Sequence, residues 1–213
     1  MKNPTLSIGA IFTALLFAAC DPPATFTEPQ PASVSDEDHF PRRYRGTFVH
    51  DEDLTTLVID AQSMIRYYDV VFNMPVQALD SQFQVSGNAV VDITSGHKGT
   101  VTYKGDSATV ALQVIDTLFK LDEQHVLKRF KGYLFISSQS TPVSWEVAKL
   151  SLSKGKLNFS SITPQDVEHL KAITETEQDT VAPYIFAPTK KQFKSFVKQE
   201  GFRQTATYTK VRK

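Results

Sequence analysis

The chain has 213 residues, and its 23 Lys and Arg side chains balance 23 Asp and Glu, so the formal net charge is zero. A single cysteine excludes a fold held together by internal disulfides. The length suits one domain with a hydrophobic core, to which 15 Phe and 7 Tyr residues contribute bulk.

The first twenty residues are organised like an export signal. Lys2 and the amino terminus are positive, and residues 6–19 form a mostly apolar run without a charge. A signal core spans about 7–15 residues, whereas a membrane-spanning helix needs roughly 20. Ala18 and Ala19 supply the small residues that a signal peptidase accepts. The sequence therefore predicts a signal peptide over residues 1–19 and export of the remainder.

The end of this segment, Leu16-Phe17-Ala18-Ala19-Cys20, resembles the lipobox of bacterial lipoproteins, with Phe17 where that family usually has leucine. The resemblance implies that Cys20 receives a diacylglycerol thioether and becomes the new amino terminus. Two or three acyl chains such as palmitate would hold the protein on a membrane, at about 0.8 kcal/mol per buried methylene. The alternative is an ordinary secretory signal cleaved near Ala19 or Ala24. Asp21 resembles an inner-membrane retention mark of enteric bacteria but does not decide between the inner and the outer membrane.

A proline-rich stretch follows the cysteine. Residues 20–42 contain five of the 11 prolines, namely Pro22, Pro23, Pro29, Pro31 and Pro41, among Ser, Thr and acidic residues. Such a composition predicts a flexible tether, which reaches on the order of 60 Å when stretched. A single β-rich globular domain is then expected over residues 43–213.

Two glycine-containing turns predict β-hairpins. Apolar residues alternate with polar ones on both sides of Gly105-Asp106 and of Lys154-Gly155. If each turn is a two-residue loop, the facing pairs are Tyr103 with Ala108, Val101 with Val110, Leu152 with Leu157, and Leu150 with Phe159.

Further strands are predicted throughout the chain, at residues 46–50, 55–59, 64–72, 82–85, 89–93, 116–121, 126–137 and 204–211. Strands at this spacing indicate a mainly β fold, an antiparallel meander that forms a calycin-like barrel or a sandwich.

Two short helices are predicted near the carboxyl terminus. Thr163-Pro164-Gln165-Asp166 has a capping hydroxyl, a proline at the first helical position and an acid in the first turn. Thr189-Lys190-Lys191-Gln192 fits a capping box, and Gly201 is expected to adopt a left-handed conformation that ends the second helix, with Phe202 folding back onto it.

The segment Arg45-Gly46-Thr47-Phe48 resembles the glycine-x-tryptophan opening of lipocalin-type barrels, with phenylalanine replacing tryptophan. The resemblance implies a structural plug at one barrel end and no catalytic residue.

No recognised catalytic or metal-binding motif is present. The five histidines, His39, His50, His97, His125 and His169, lack zinc-ligand spacing. The polar clusters at residues 50–53 and 122–125 are interpreted as turns. Trp145, Tyr133 and Phe135 are interpreted as core residues, the alternative being a cavity mouth. The sequence thus predicts no catalytic residue, no metal ligand and no cofactor site.

Charge is unevenly distributed despite the zero total. From Pro183 onward, eight basic residues oppose Glu200 alone, whereas residues 21–60 contain nine acids and three arginines. The basic segment is interpreted as a solvated helix face; the alternative is a patch that binds anionic lipid or cell-wall polymer. Export argues against nucleic acid as a partner.

These observations lead to a hypothesis of function: a lipid-anchored bacterial envelope protein with a non-enzymatic role in binding or assembly. Its expected partners are the membrane, through acyl chains on Cys20, and either a small apolar ligand or another envelope protein. Two alternatives stay open: a calycin-like carrier of a small apolar ligand, and an envelope hydrolase or isomerase with a distributed active site.

Overall fold

The computed structural model describes residues 22–174, 176–178 and 183–211. Cys20 and the predicted signal peptide lie outside these residues. The strands are β1 (Ala24–Phe26), β2 (Asp36–Glu37), β3 (Gly46–His50), β4 (Thr56–Ile59), β5 (Ser63–Pro75), β6 (Phe83–Ser86), β7 (Ala89–Asp92), β8 (Lys98–Lys104), β9 (Ser107–Lys120), β10 (His125–Phe130), β11 (Tyr133–Thr141), β12 (Ser144–Ser153), β13 (Lys156–Ser161), β14 (Thr176–Gln178), β15 (Tyr184–Phe186) and β16 (Gln204–Lys210). The helices are α1 (Leu79–Gln82), α2 (Pro164–Ile173) and α3 (Lys190–Lys198), with 3-10 turns at Arg42–Tyr44 and Val76–Ala78.

All of these strands belong to one sheet, and the predicted mainly β, antiparallel meander is confirmed. The main path runs β12-β13-β16-β3-β4-β5-β9-β8-β7-β6. A branch of the sheet begins at the β12 end of this path. In that branch, β12 pairs with β11, β11 with β10, and β10 with β2. The sheet is not a closed barrel, because β10 pairs with β2 rather than with a strand from the far end of the path. Closure into a barrel was therefore a wrong expectation.

The predicted hairpin registers are confirmed. Tyr103 pairs with Ala108 across Gly105-Asp106, and Leu152 pairs with Leu157 across Lys154-Gly155. Two strand boundaries differ from the prediction. The predicted strand at residues 116–121 is the second half of the longer strand β9, which ends at Lys120. Residues 126–137 divide into β10 and β11 at a turn where Lys131 has a φ of 51°.

Three hydrophobic clusters support the sheet. The inner core lies on the concave face of the curled sheet and contains Phe40, Phe48, Leu57, Phe119, Leu134 and Leu150, among others. The helix core joins β1, β11 and β12 to α2 and α3 through Phe26, Phe135, Phe193, Phe196 and Phe202. The distal core packs α1 against strands β5 to β9. Phe48 of the lipocalin-like opening is fully buried in the inner core, and Lys210 Nζ lies 5.3 Å from its ring centroid.

Both carboxyl-terminal helices begin where the capping residues predicted. The Thr163 N–H donates to Asp166 Oδ2 at 2.8 Å, and the Thr189 N–H donates to Gln192 Oε1 at 2.8 Å. The end of α3 differs from the prediction. Glu200 adopts the left-handed conformation with a φ of 61°, and the Gly201 N–H donates to the Phe196 carbonyl at 3.1 Å. This is a Schellman-type end displaced by one residue from the expected position.

Residues 22–42 do not form the expected tether. β1 pairs in parallel with β15 and in antiparallel with β12, and β2 extends the edge of β10. Phe26 and Phe40 are fully buried, one in each of two cores. The prediction was wrong for this segment because two aromatic anchors offset the ordering cost that its polar composition implies.

Lys128 holds this segment in place. The residue is 6% exposed, and its ammonium donates to the Pro29 carbonyl at 2.9 Å and to the Pro31 carbonyl at 3.2 Å. Asp36 lies 3.8 Å from the same nitrogen. The lysine thus satisfies backbone acceptors that a proline-rich turn leaves without partners within the segment.

We expect Lys128→Met to destabilise the segment by about 2–3 kcal/mol, because two charge-assisted hydrogen bonds disappear and the carbonyls stay buried. Limited proteolysis at Glu28 or Glu37 with a glutamate-specific protease measures this effect as faster cleavage. Arg129→Met is the matched control, since Arg129 pairs with Glu37 at the surface and such pairs contribute under about 1 kcal/mol. Equal cleavage rates in the two variants would contradict the role of Lys128.

Candidate functional site

A concave, positively charged pocket lies where the end of α3 meets the outer face of the sheet. We call it the basic pocket; its volume is about 680 Å³, within the usual range for small-molecule sites. Its lining consists of Phe130, Lys131, Tyr133, Lys149, Lys194, Val197, Lys198, Glu200, Phe202 and Arg203. Five cations therefore face one carboxylate, and the remaining lining side chains are apolar or aromatic.

The cations come from separate parts of the chain. Lys131 occupies the β10–β11 turn, Lys149 projects from β12, and Arg203 precedes β16. Lys194 and Lys198 lie on α3, where the negative end of the helix dipole favours a basic residue in the last turn. The fold thus concentrates positive charge that the sequence spreads over more than seventy residues.

Lys149 is the most constrained of these cations. Its Nζ donates to the Gly201 carbonyl at 3.2 Å and lies 5.5 Å from the ring centroids of both Tyr133 and Phe202. Among the described residues, no carboxylate approaches this nitrogen within ion-pair distance. Burial lowers the pKa of Lys149, and the more distant charges of Asp166 and Glu200 only partly oppose that shift.

Gly201 lies between two residues that line the pocket, Glu200 and Phe202. A Cβ atom at this position would lie 2.5 Å from the ring of Phe196, so any larger residue would displace a fully buried aromatic side chain. The close approach lets Phe202 fold back, as predicted, with its ring centroid 5.3 Å from that of Phe196. The glycine carbonyl is thereby presented to Lys149.

Asp166 supports the pocket from behind. The residue is fully buried at the start of α2, and its Oδ2 accepts hydrogen bonds from the Thr163 and Arg203 backbone N–H groups. Its Oδ1 lies 3.5 Å from Arg203 Nε. The Arg203 guanidinium also contacts His169 Nε2 at 3.1 Å. One carboxylate therefore caps α2 and positions Arg203 at the pocket.

The three aromatic residues that the sequence analysis identified lie in different environments in the structure. Tyr133 lines the basic pocket, whereas Phe135 is fully buried beneath it, as the core interpretation requires. Trp145 is half-buried and pairs with Phe26 of β1. Of the carboxyl-terminal basic residues, Lys194, Lys198 and Arg203 reach the pocket; Arg212 and Lys213 lie outside the described residues. Lys131 and Lys149 were not singled out from the sequence.

The two polar clusters form turns, as interpreted. His50 Nδ1 lies 2.7 Å from Asp53 Oδ1, and His125 Nδ1 lies 2.7 Å from Asp122 Oδ1. Hydrogen bonds lower the pKa of both aspartates, chiefly from the Thr55 backbone to Asp53 and from the His125 side chain to Asp122. Within the described ranges, no group of three His, Cys, Asp or Glu side chains converges as metal ligands would.

A second opening lies where β12 changes neighbours from β13 to β1. We call it the fork groove; its volume is about 560 Å³. Its lining includes Leu118, Ala148 and Phe159, half-buried apolar residues that pack against the inner core. Its lining also contains Pro22, Pro23 and Pro164. The groove therefore lies beside Pro22 and the start of the amino-terminal segment.

Comparison of the chain with protein-family models, curated proteins and solved structures finds no match. None of the helices in the described part of the chain combines the length and apolar character that a bilayer span requires. The functional argument therefore depends on the geometry of the chain itself.

Proposed function

We propose that this protein is a lipid-anchored bacterial envelope lipoprotein with a non-enzymatic binding role. Its ligand carries an anionic group, a phosphate or a carboxylate, together with an apolar portion. The anchor is the lipidated Cys20 implied by the lipobox resemblance. The ligand site is the basic pocket, and the observation that carries the proposal is Lys149, which contacts two aromatic rings and, among the residues that the structure describes, no carboxylate within ion-pair distance.

The environment of Lys149 favours a ligand over a purely structural role. A surface lysine keeps its full hydration, whereas a half-buried ammonium loses part of it and needs compensation from a negative group. The Gly201 carbonyl supplies one hydrogen bond, which leaves two of its three N–H donors for other acceptors. An anion in the pocket supplies the missing charge.

The rest of the lining indicates the shape of the ligand. Lys131, Lys194 and Lys198 are exposed at the rim and attract an anion over a distance. Phe130 and Val197 offer half-buried apolar surface, which suits a hydrocarbon or ring portion of the ligand. In an exported protein, amphiphiles of this kind include anionic lipids and the lipid-linked ends of envelope polymers.

The anchor is tested by metabolic labelling with a palmitate analogue in a bacterial host. We expect label in the full-length protein and complete loss of it in Cys20→Ser, because the thioether forms only on that sulfur. Mass spectrometry of the amino-terminal peptide distinguishes lipidation of Cys20 from the alternative, a secretory signal cleaved near Ala19 or Ala24. An unmodified Cys20, or a mature chain that begins downstream of it, contradicts the anchor.

Binding is tested by calorimetric titration of the purified protein with octyl phosphate below its micelle concentration. Octanol lacks the charge and inorganic phosphate lacks the chain, so the two serve as controls. We expect octyl phosphate to bind at least tenfold more tightly than inorganic phosphate, since about two buried methylenes already account for that factor. We expect the same margin over octanol, because a hydrogen bond to a charged group contributes about 1.5–3 kcal/mol. Equal binding of octanol would indicate a purely apolar site and contradict the proposal.

A further inference from the structure

We propose that the face of the domain around the fork groove lies against the lipid headgroups of the membrane. The inference rests on the proposed lipidation of Cys20 and adds the orientation of the domain and the surface that contacts the bilayer.

The described part of the amino-terminal segment packs against the domain from Pro23 onward. Ala24 and Phe26 of β1 are buried between β15 and β12, and the Tyr184 N–H donates to the Pro23 carbonyl at 3.2 Å. Lys128 holds the same segment further along, at Pro29 and Pro31. The folded body therefore begins no later than Pro23.

The distance from the anchor to this body is short. Only Asp21 lies between Cys20 and Pro22, so the two residues are separated by about 7 Å at full extension. The headgroup layer of a bilayer is itself about 5–8 Å thick on each side. A lipid on Cys20 thus brings Pro22 to the level of the headgroups, and the surface around Pro22 comes with it.

That surface is defined by the lining of the fork groove. Pro22, Pro23 and Pro164 belong to this lining, and Pro164 and Gln165 are exposed at the start of α2. In the proposed orientation, these residues face the headgroups. By contrast, β7 and β6 lie at the opposite end of the strand path from β1, so the exposed β6–β7 turn at Asn88 serves as the reference position away from the anchor.

A pair of single-cysteine variants tests this orientation. In the full-length lipidated protein Cys20 carries the thioether, so Gln165→Cys or Asn88→Cys introduces the one free thiol. Each variant is labelled with a small fluorophore and reconstituted into vesicles that contain a headgroup spin-labelled lipid as quencher. We expect quenching at position 165 to exceed that at position 88 at least threefold.

A linker variant completes the test. An insertion of about twelve Gly and Ser residues between Asp21 and Pro22 spans on the order of 20 Å and should reduce quenching at position 165 to the level at position 88. Equal quenching at both positions, or no effect of the insertion, overturns the orientation. If mass spectrometry shows lipid on Cys20 in those samples, the anchor stands and only this inference fails.

Discussion

Replacing Lys149 by methionine is expected to weaken octyl phosphate binding by about ten- to a hundredfold while the melting temperature stays the same or rises. A hydrogen bond to a charged group contributes about 1.5–3 kcal/mol, and 1.4 kcal/mol corresponds to a tenfold change in affinity. Methionine preserves the length and the aromatic contacts of the side chain but removes the desolvated charge. Titration calorimetry and thermal unfolding measure the two effects.

Lys191→Met is the matched control for this substitution. Lys191 lies on α3, and its replacement removes the same charge, but it is exposed and does not line the basic pocket. We expect its affinity for octyl phosphate to fall less than threefold. A Lys149→Met protein that binds normally but unfolds at a lower temperature would show that the lysine is structural.

The pH dependence of binding follows from the same residue. Because burial lowers the pKa of Lys149, its charge disappears at a lower pH than that of an exposed lysine. Affinity for the anion should therefore decline as pH rises through that lowered value, and Lys149→Met should remove this part of the profile. The stability of the ligand-free protein changes in the opposite direction. Between the lowered pKa and about 10.4, Lys149 binds more protons in the unfolded chain than in the folded one. The free energy of unfolding therefore rises with pH in this range.

Gly201→Ala is expected to destabilise the protein by about 2–3 kcal/mol and to abolish binding of the anion. The new Cβ would lie 2.5 Å from the ring of Phe196, which is fully buried and packs against Phe193 and Phe202. Relief of the clash moves the Gly201 carbonyl away from Lys149. Thermal unfolding should show a melting temperature lower by roughly 5–10 °C, since each kcal/mol shifts it by about 2–4 °C in a protein of this size.

Gly87→Ala separates this steric effect from backbone strain. Gly87 has a φ of 59°, and a Cβ there meets no atom within 4 Å. Its replacement by alanine should destabilise the protein by only about 1 kcal/mol, because alanine is strained in the left-handed conformation. Binding of octyl phosphate should be unchanged. If Gly201→Ala is as mild as Gly87→Ala, the close packing of the pocket wall is not what organises the site.

Local patterns in the sequence predicted much of the sheet correctly. Around Lys154-Gly155, the alternation of apolar residues allowed only one register, because a slip by one residue would expose Leu150 and Leu157 to solvent. The capping box at Thr189 likewise located the start of α3, since its hydrogen bonds form within one turn. Signals of this kind need no information about distant parts of the chain.

The prediction of a tether over residues 20–42 failed for the opposite reason. Its order depends on β15 and on Lys128, each about a hundred or more residues away, and on the burial of Phe26 and Phe40. The mean composition of residues 20–42 conceals two aromatic anchors among prolines and acids. A tether assignment from composition is thus unreliable where a large aromatic residue recurs within a turn-rich stretch.

Only some of the residues that line the basic pocket could be predicted from the sequence. Lys194, Lys198 and Arg203 belong to a basic segment that the sequence displays, but Lys131 and Lys149 come from strands and turns that only the fold brings beside α3. One sequence signal did exist. Lys149 lies two residues after Val147, on the same face of β12, and Val147 is buried in the helix core. A lysine at such a position indicates either a strand end or a site.

The most direct test of the anion site is a titration of the isotopically labelled protein with octyl phosphate, followed by amide chemical shifts. We predict that the largest shifts occur at Tyr133, Lys149, Gly201 and Phe202, with little change at Asn88 in the distal part of the domain. If saturating ligand leaves these four amides unmoved, or shifts Ala148 and Phe159 of the fork groove instead, the basic pocket is not the binding site.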